Sequence, residues 1–397
     1  MIRSIYFERY KKVLIAACLL VIATGIFNAV IENNQWKNTY NDPYNKENFE
    51  QHREDISYWD DEEEKNITFT SFAEYQKYQL MFYSSPLPYY KTSKASDYSA
   101  DILYRSNFST YFISALSLIV PLAGFLCFFI DQKTGFNHFL FSLGISRKEL
   151  FKKKIVYLGL PFLVSILIGQ SLYVLLIHWL IPAPYMNATL EQLFTSMISN
   201  FSLLFFLLCV SVFIGSMVGN VFFGPLTLGV FLFLMSWLPD SIYSLGNIIK
   251  LANGTYLEVF PRTLFVDSVG KTGGNIWTNL IMTILSLLLI FWAYKKYQTL
   301  SLENDNAYLL HKESRWPIWA IMTIFTSFIL NTNILDPWFF FLQRRIYDHA
   351  TDSISGPIIS NLVVSLIVGG ICLIIVFFKE ASNILLSTLN KLNQRTG

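Results

Sequence analysis

Eight stretches of the chain are apolar over about the width of a bilayer: 13–31, 108–130, 155–181, 199–218, 221–238, 276–294, 317–335 and 357–378. A helix crosses the hydrocarbon core in about 20 residues. The pattern therefore predicts an all-α integral membrane protein with about eight transmembrane helices. The fourth and fifth runs are split only by Gly219-Asn220, and the seventh is interrupted by Asn331 and Asn333. Polar segments between the runs are expected to form a short N-terminal elbow (1–12), a large segment after the first helix (32–107), loops 131–154 and 295–316, and a tail (379–397). Residues 317–378 hold the last two helices. The stretch 239–275 is too apolar for a plain loop, with Ile242, Ile248, Leu251, Leu257, Phe260, Leu264 and Phe265, and is expected to be re-entrant.

The first run follows Arg3, Arg9, Lys11 and Lys12, which resembles the start of a secretory signal. Its 19 residues exceed the usual signal core and no small-x-small site closes it, so it is read as a retained helix.

Charge orients the helices. Lys and Arg number 17 over 1–12, 131–154, 295–316 and 379–397, against five over 182–198, 239–275 and 336–356. Positive residues accumulate in cytoplasmic loops. Both termini are thus expected in the cytoplasm and residues 32–107 outside, as a domain with 14 acidic and eight basic residues. The run Asp60-Asp61-Glu62-Glu63-Glu64 is read as a solvated face. Tyr75, Tyr78, Phe82, Tyr83, Tyr89 and Tyr90 argue that the domain folds or rests on the membrane, because disordered linkers are poor in aromatics.

Composition agrees. Hydrophobic residues make up 53% and charged residues 15%, where soluble domains carry about 25% charged. The net charge of +2 gives no reason to expect nucleic acid. Cys18, Cys127, Cys209 and Cys372 all lie in apolar runs and read as small hydrophobes. Trp179, Trp237, Trp277, Trp316 and Trp319 sit near expected helix ends, where interfacial anchors belong.

Candidate chemistry is sparse. His178 and Gln170 are the notable polar residues of the third run, and His178 reads as interfacial. No H-E-x-x-H pair occurs, and Gly270-Lys271-Thr272 lacks the upstream glycine of a phosphate loop, with Phe265 in its place. No catalytic, cofactor or metal site is expected, and no ATP hydrolysis by the isolated chain. If this protein moves a substrate, its energy comes from elsewhere.

The most distinctive polar segment is 131–154, DQKTGFNHFLFSLGISRKELFKKK. Leu140, Phe141, Leu143 and Leu150 give it an apolar side, and Arg147, Lys148, Lys152, Lys153 and Lys154 cluster near its end. Gly144 and Ser146 predict a break before a short helix capped near Ser146. Such a segment suits contact with anionic lipid or docking of a protein equally well.

This segment resembles the cytosolic loop of ABC-2 type permeases, the membrane subunits of one class of ATP-binding-cassette transporters. Asp131 stands for the family's acid, Gly135 for its Gly, Leu140 and Leu143 for its apolar stretch, and Gly144-Ile145-Ser146-Arg147 for its Pro-Ile-Ser-Arg turn, with Lys153 or Lys154 following. Asp replaces the usual Glu, Thr134 precedes the Gly, and Gly144 replaces Pro. The layout of elbow, first helix, outer segment and five further helices is similar over roughly 1–312. Residues 302–310 faintly resemble a Glu-x-x-Gly segment of Gram-positive members, with Glu303 matching and Asn306 in the Gly position.

The resemblance implies that Asp131, Gly135, Gly144, Ser146, Arg147 and Lys154 dock a separate ATPase subunit, Arg147 meeting a carboxylate there. It implies a second permease copy or paralogue as partner, and export of, or immunity to, a lipid-like or peptide substrate. Gly215 and Gly219 form a G-x-x-x-G where small residues let helices approach. The competing expectation is a membrane sensor or scaffold that displays 32–107 and moves nothing; a polytopic enzyme is disfavoured by the lack of a polar constellation in the spans.

Overall fold

The computed structural model describes residues 2–42, 44–60, 65–84, 105–108, 112–253, 276–300, 307–349 and 351–383. The chain is a helical, multi-pass membrane protein with seven helices long and apolar enough to cross a bilayer, or eight if one bent pair makes a single span. The long helices are α1 (Ile2–Tyr40), α4 (Phe112–Lys133), α6 (Arg147–Leu180, with a π turn over Ile155–Gly159), α7 (Leu190–Met217) and α8 (Phe223–Ala252). They continue with α9 (Ile276–Gln298), α10 (Arg315–Ile329) and α12 (Ser355–Val376). Between them lie α2 (Tyr44–Gln51), α3 (Phe72–Gln79), α5 (Phe136–Ser142) and α11 (Pro337–Tyr347). Two short antiparallel ladders pair Ser57–Asp60 with Lys65–Thr68 and Tyr83–Ser84 with Arg105–Ser106.

Several boundaries depart from the hydropathy pattern, each for a local reason. Helix α1 runs nine residues past its apolar stretch, so 32–40 continues the first helix. Helix α7 starts nine residues early because Thr189 and Gln192 form a reciprocal cap: the Gln192 N–H donates to Thr189 Oγ1 at 3.3 Å and the Thr189 N–H to Gln192 Oε1 at 2.9 Å. Helix α8 continues past residue 238 to Ala252 and bends by 46° between Leu238 and Asp240, where Pro239 supplies no N–H to the ladder. The rest of the expected re-entrant stretch, 254–275, lies outside the described residues. The chain 336–356, expected as loop, contains α11, which begins after a π turn at Leu330–Ile334 and Asp336 in the left-handed region at φ 35°.

The chain divides into two compact units. The first comprises Met1–Ala123, Lys152–Cys209 and Val266–Leu288. Here α1 and α6 touch at glycines: a Cβ on Gly25 would overlap the Gly169 carbonyl, and one on Gly169 would lie 3.0 Å from the Val21 oxygen. Beyond that crossing, Trp36 of α1 donates its Nε1–H to the Leu80 carbonyl at 2.9 Å, and Phe82 donates its N–H to the Tyr185 carbonyl at 2.9 Å. Ala29, Trp36, Leu80, Phe82, Tyr83, Val174 and Ile177 are buried together there. A separate small core of Phe49, Phe69 and Tyr75 joins α2 to α3. Helix α3 is capped by Ser71, whose Oγ accepts from the Glu74 N–H at 3.3 Å. The Glu74 carboxylate accepts from the Thr70 hydroxyl and N–H, which hold its pKa below the usual range.

The second unit comprises Gly124–Phe151, Val210–Phe265 and Leu289–Gly397. Gly215 of α7 lies against the Phe125 carbonyl of α4, where any Cβ would overlap it. Trp319 of α10 donates to the Gly369 carbonyl of α12 at 2.9 Å. The Ser244 hydroxyl of α8 donates to the Asp336 carboxylate, and Asn333 donates to the Trp237 carbonyl at 3.2 Å.

Candidate functional site

The segment 131–151 of the second unit folds as an elbow joining two long helices. Helix α4 ends at Lys133. Gly135 then takes φ 69° and opens α5, with the His138 N–H donating to its carbonyl at 3.0 Å. Gly144 takes φ 69° after α5, and the Ser146 Oγ accepts from the Glu149 N–H at 3.3 Å as α6 starts. A Cβ at either glycine would meet nothing within 4 Å. Backbone conformation, not space, is therefore what calls for glycine at both positions.

Arg147 fastens this elbow to the end of α9. Its Nη1 donates to the Leu300 carbonyl at 2.7 Å and to the Gln298 carbonyl at 3.3 Å. Gln298 is the last residue of α9, where carbonyls carry the negative pole and lack intrahelical donors, so a guanidinium is a fitting cap; Leu300 lies two residues beyond it. The same guanidinium stands 4.6 Å over the Phe141 ring. Around it Phe128, Phe151, Tyr294 and Tyr297 pack ring on ring, Phe128 to Phe151 at 5.2 Å and Phe151 to Tyr297 at 5.5 Å. The Tyr297 hydroxyl donates to Asn137 Oδ1 at 3.4 Å.

The six residues implied to dock an ATPase do not share one surface. Gly135, Gly144 and Ser146 are exposed, whereas Asp131 is fully buried at the end of α4. Arg147 is half-buried and its Nη1 is turned inward onto carbonyls. Lys154 belongs to the first unit, where it is buried with its Nζ 6.0 Å from the Tyr10 ring. The apolar side read from the sequence splits too. Leu140 and Leu150 are buried, while Phe139, on the opposite side of α5, is 48% exposed and stacks on Phe136. Thr134, His138, Ser142 and Lys148 of the elbow are exposed as well. The helical period of 136–142 could have found Phe139, since Asn137 and Leu140 take the inner face.

The two glycines of the G-x-x-x-G have separate places. Gly215 is at the α4–α7 crossing, but α7 ends at Met217 and Gly219 lies beyond it. There its N–H donates to the Tyr308 carbonyl at 2.9 Å, and the Leu310 N–H donates to the Met217 carbonyl at 2.9 Å. The Tyr308 phenol, 3.0 Å from the Thr227 hydroxyl, is pushed up to about 12 chiefly by burial. Glu303 and Asn306 lie outside the described residues, as do Asp61–Glu64, Tyr89, Tyr90 and Gly270–Thr272.

Glu32 was missed because it falls one residue past the first apolar run. It is 1% exposed in the first unit and accepts the Tyr173 hydroxyl at 2.6 Å. The buried Tyr83 phenol is held well above its ordinary pKa, first by desolvation and then by the Glu32 charge. Gln170, one turn before Tyr173, is 3% exposed. The polar content of the spans is thus richer than hydropathy suggested.

No family model matches the chain, and neither a curated protein nor a solved structure matches it.

Proposed function

We propose that the chain is the permease subunit of an ATP-binding-cassette transporter of the ABC-2 type, driven by ATP hydrolysed on a separate subunit. The observation that supports this most is the elbow: a short helix set between two left-handed glycines, continuous with α4 on one side and α6 on the other, and pinned to α9 by Arg147. A force applied to such an element is carried into three long helices, as two-state gating requires. In this reading the termini are cytoplasmic, the region after α1 faces out, and a second permease copy completes the path for a lipid-like or peptide cargo. The exposed Phe139 is the apolar contact offered to the ATPase, and Ser142, Ser146 and Lys148 of the same elbow are exposed too.

The test is co-purification from native membranes. Phe139→Asp changes an exposed side chain, so the variant should insert and melt like the parent but lose its ATPase partner. If parent and variant both purify without any ATPase, the reading fails. The separate core of Phe49, Phe69 and Tyr75 favours a second reading, a scaffold displaying that small fold. Binding of a ligand to the region after α1, with no ATPase in the complex, would support it. Labelling of a single cysteine at position 60 only after permeabilisation would overturn the topology that both readings share.

A further inference from the structure

The turn before α10 gathers polar atoms that no neighbour satisfies. His311, Ser314 and Arg315 are 7%, 2% and 7% exposed. The His311 Nε2, Ser314 Oγ and Arg315 Nε are buried without a hydrogen-bond partner. A buried donor left unmade costs about 1–3 kcal/mol, so three within five residues call for an acceptor. Arg315 already spends one nitrogen, Nη1, on Glu380 at 2.6 Å, and its guanidinium lies 5.6 Å from the Phe377 ring. That contact fixes the fork and leaves Nε over. Lys296 stands 3.6 Å from the Glu313 carboxylate, and its charge adds to burial, the larger cause, in disfavouring protonation of His311. The Lys312 charge also acts on Glu380. Three cations thus face two carboxylates, and Glu313 is almost wholly exposed.

We propose that this turn binds the phosphate of an anionic membrane lipid. A phosphate oxygen accepts from a guanidinium Nε–H, a hydroxyl and an imidazole N–H alike, and the surplus positive charge favours it. Location selects a lipid over a free phosphate. The unsatisfied atoms sit where α10 enters its apolar stretch, and Trp316, Ile321 and Ile324 beyond them are exposed on that helix, as acyl chains would require. Basic sites at the ends of transmembrane helices commonly hold anionic headgroups. Lys312, Glu313 and Trp316, next to His311, Ser314 and Arg315 in the chain, are long and exposed side chains. The site does not depend on what, if anything, the protein transports.

The experiment is native mass spectrometry of the purified full chain, delipidated and then offered phosphatidylglycerol, phosphatidylcholine or soluble glycerol phosphate. Phosphatidylglycerol should be retained at least about fivefold better than phosphatidylcholine, corresponding to one cationic contact. Ser314→Ala and His311→Phe remove the unpartnered hydroxyl and imidazole N–H while keeping most of the buried volume, so both should fold as the parent does and lose most of that preference. Arg315→Gln also breaks the Glu380 pair, and is read only beside these two. Equal retention of the two lipids, or an unchanged preference in both variants, overturns the site. Glycerol phosphate binding as tightly as phosphatidylglycerol overturns the lipid assignment.

Discussion

The two polar turns of the second unit, the elbow before α6 and the turn before α10, solve the same problem in opposite ways. Each brings an arginine to the first residue of a long helix. Arg147 finds two carbonyls at the end of α9 and an aromatic face, and Ser146 caps the helix it opens. Arg315 finds one carboxylate, and the polar atoms of Ser314, His311 and its own Nε stay unmatched. A turn in which, among the described residues, no buried side-chain polar atom lacks a partner is a mechanical joint. A turn that leaves donors over is shaped for something outside the chain. The identity of the arginine says nothing of this difference; its neighbours in space do.

Breaking the joint should have the largest effect. Arg147→Ala removes two charge-assisted bonds, to the carbonyls of Gln298 and Leu300, and a cation–π contact, at a cost of about 2–4 kcal/mol. It should lower the melting temperature in detergent and loosen the end of α9, read by faster hydrogen exchange at 295–300. Arg147→Lys keeps the charge but not the fork and should recover only part. A neutral effect of Arg147→Ala would remove the joint from the mechanism.

Next in size come the glycines. Gly135→Ala and Gly144→Ala each force an L side chain into the left-handed region, at about 1–2 kcal/mol. Because nothing crowds either position, Gly144→Asn should recover most of the loss in the same melts. A steric origin would instead make Asn worse than Ala.

A smaller effect is expected of pH on the second turn. Burial, with Lys296 nearby, depresses the His311 imidazole from 6.5 to about 4. The unfolded chain therefore binds the proton first, and stability should fall as pH drops from about 6.5 to about 4. His311→Gln should flatten that part of the stability–pH curve. An unchanged slope would show that His311 is not buried neutral.

The smallest effect is expected of Ser314→Ala. Without lipid, losing a buried hydroxyl that bonds to nothing removes an unmade donor and should cost no stability. The comparable Ser146→Ala, which deletes a working cap, should cost about 1 kcal/mol. Equal costs in paired melts would erase the contrast between the two turns.

How much of this was legible beforehand follows from the range of each interaction. Hydropathy alone places the long helices, because a bilayer demands about 20 apolar residues wherever the chain crosses it. The cap at Ser146 and the break at Gly144 were readable too, since both are decided within four residues. Helix ends such as Tyr40 and Leu190 were not, because polar helix extends beyond the apolar run once a cap or a packing partner is present. The sequence by itself determined that the chain is helical, crosses a membrane several times and carries a glycine-broken turn before Arg147. Only the tertiary structure decided that Arg147 faces α9, that Glu32 meets Tyr173 and that Phe139 is left exposed. These rest on contacts between residues as far as 153 positions apart, which no local pattern encodes. The pairing of a polar side chain depends on which helix lies beside it, and in a membrane the apolar surface that brings helices together looks alike on all of them.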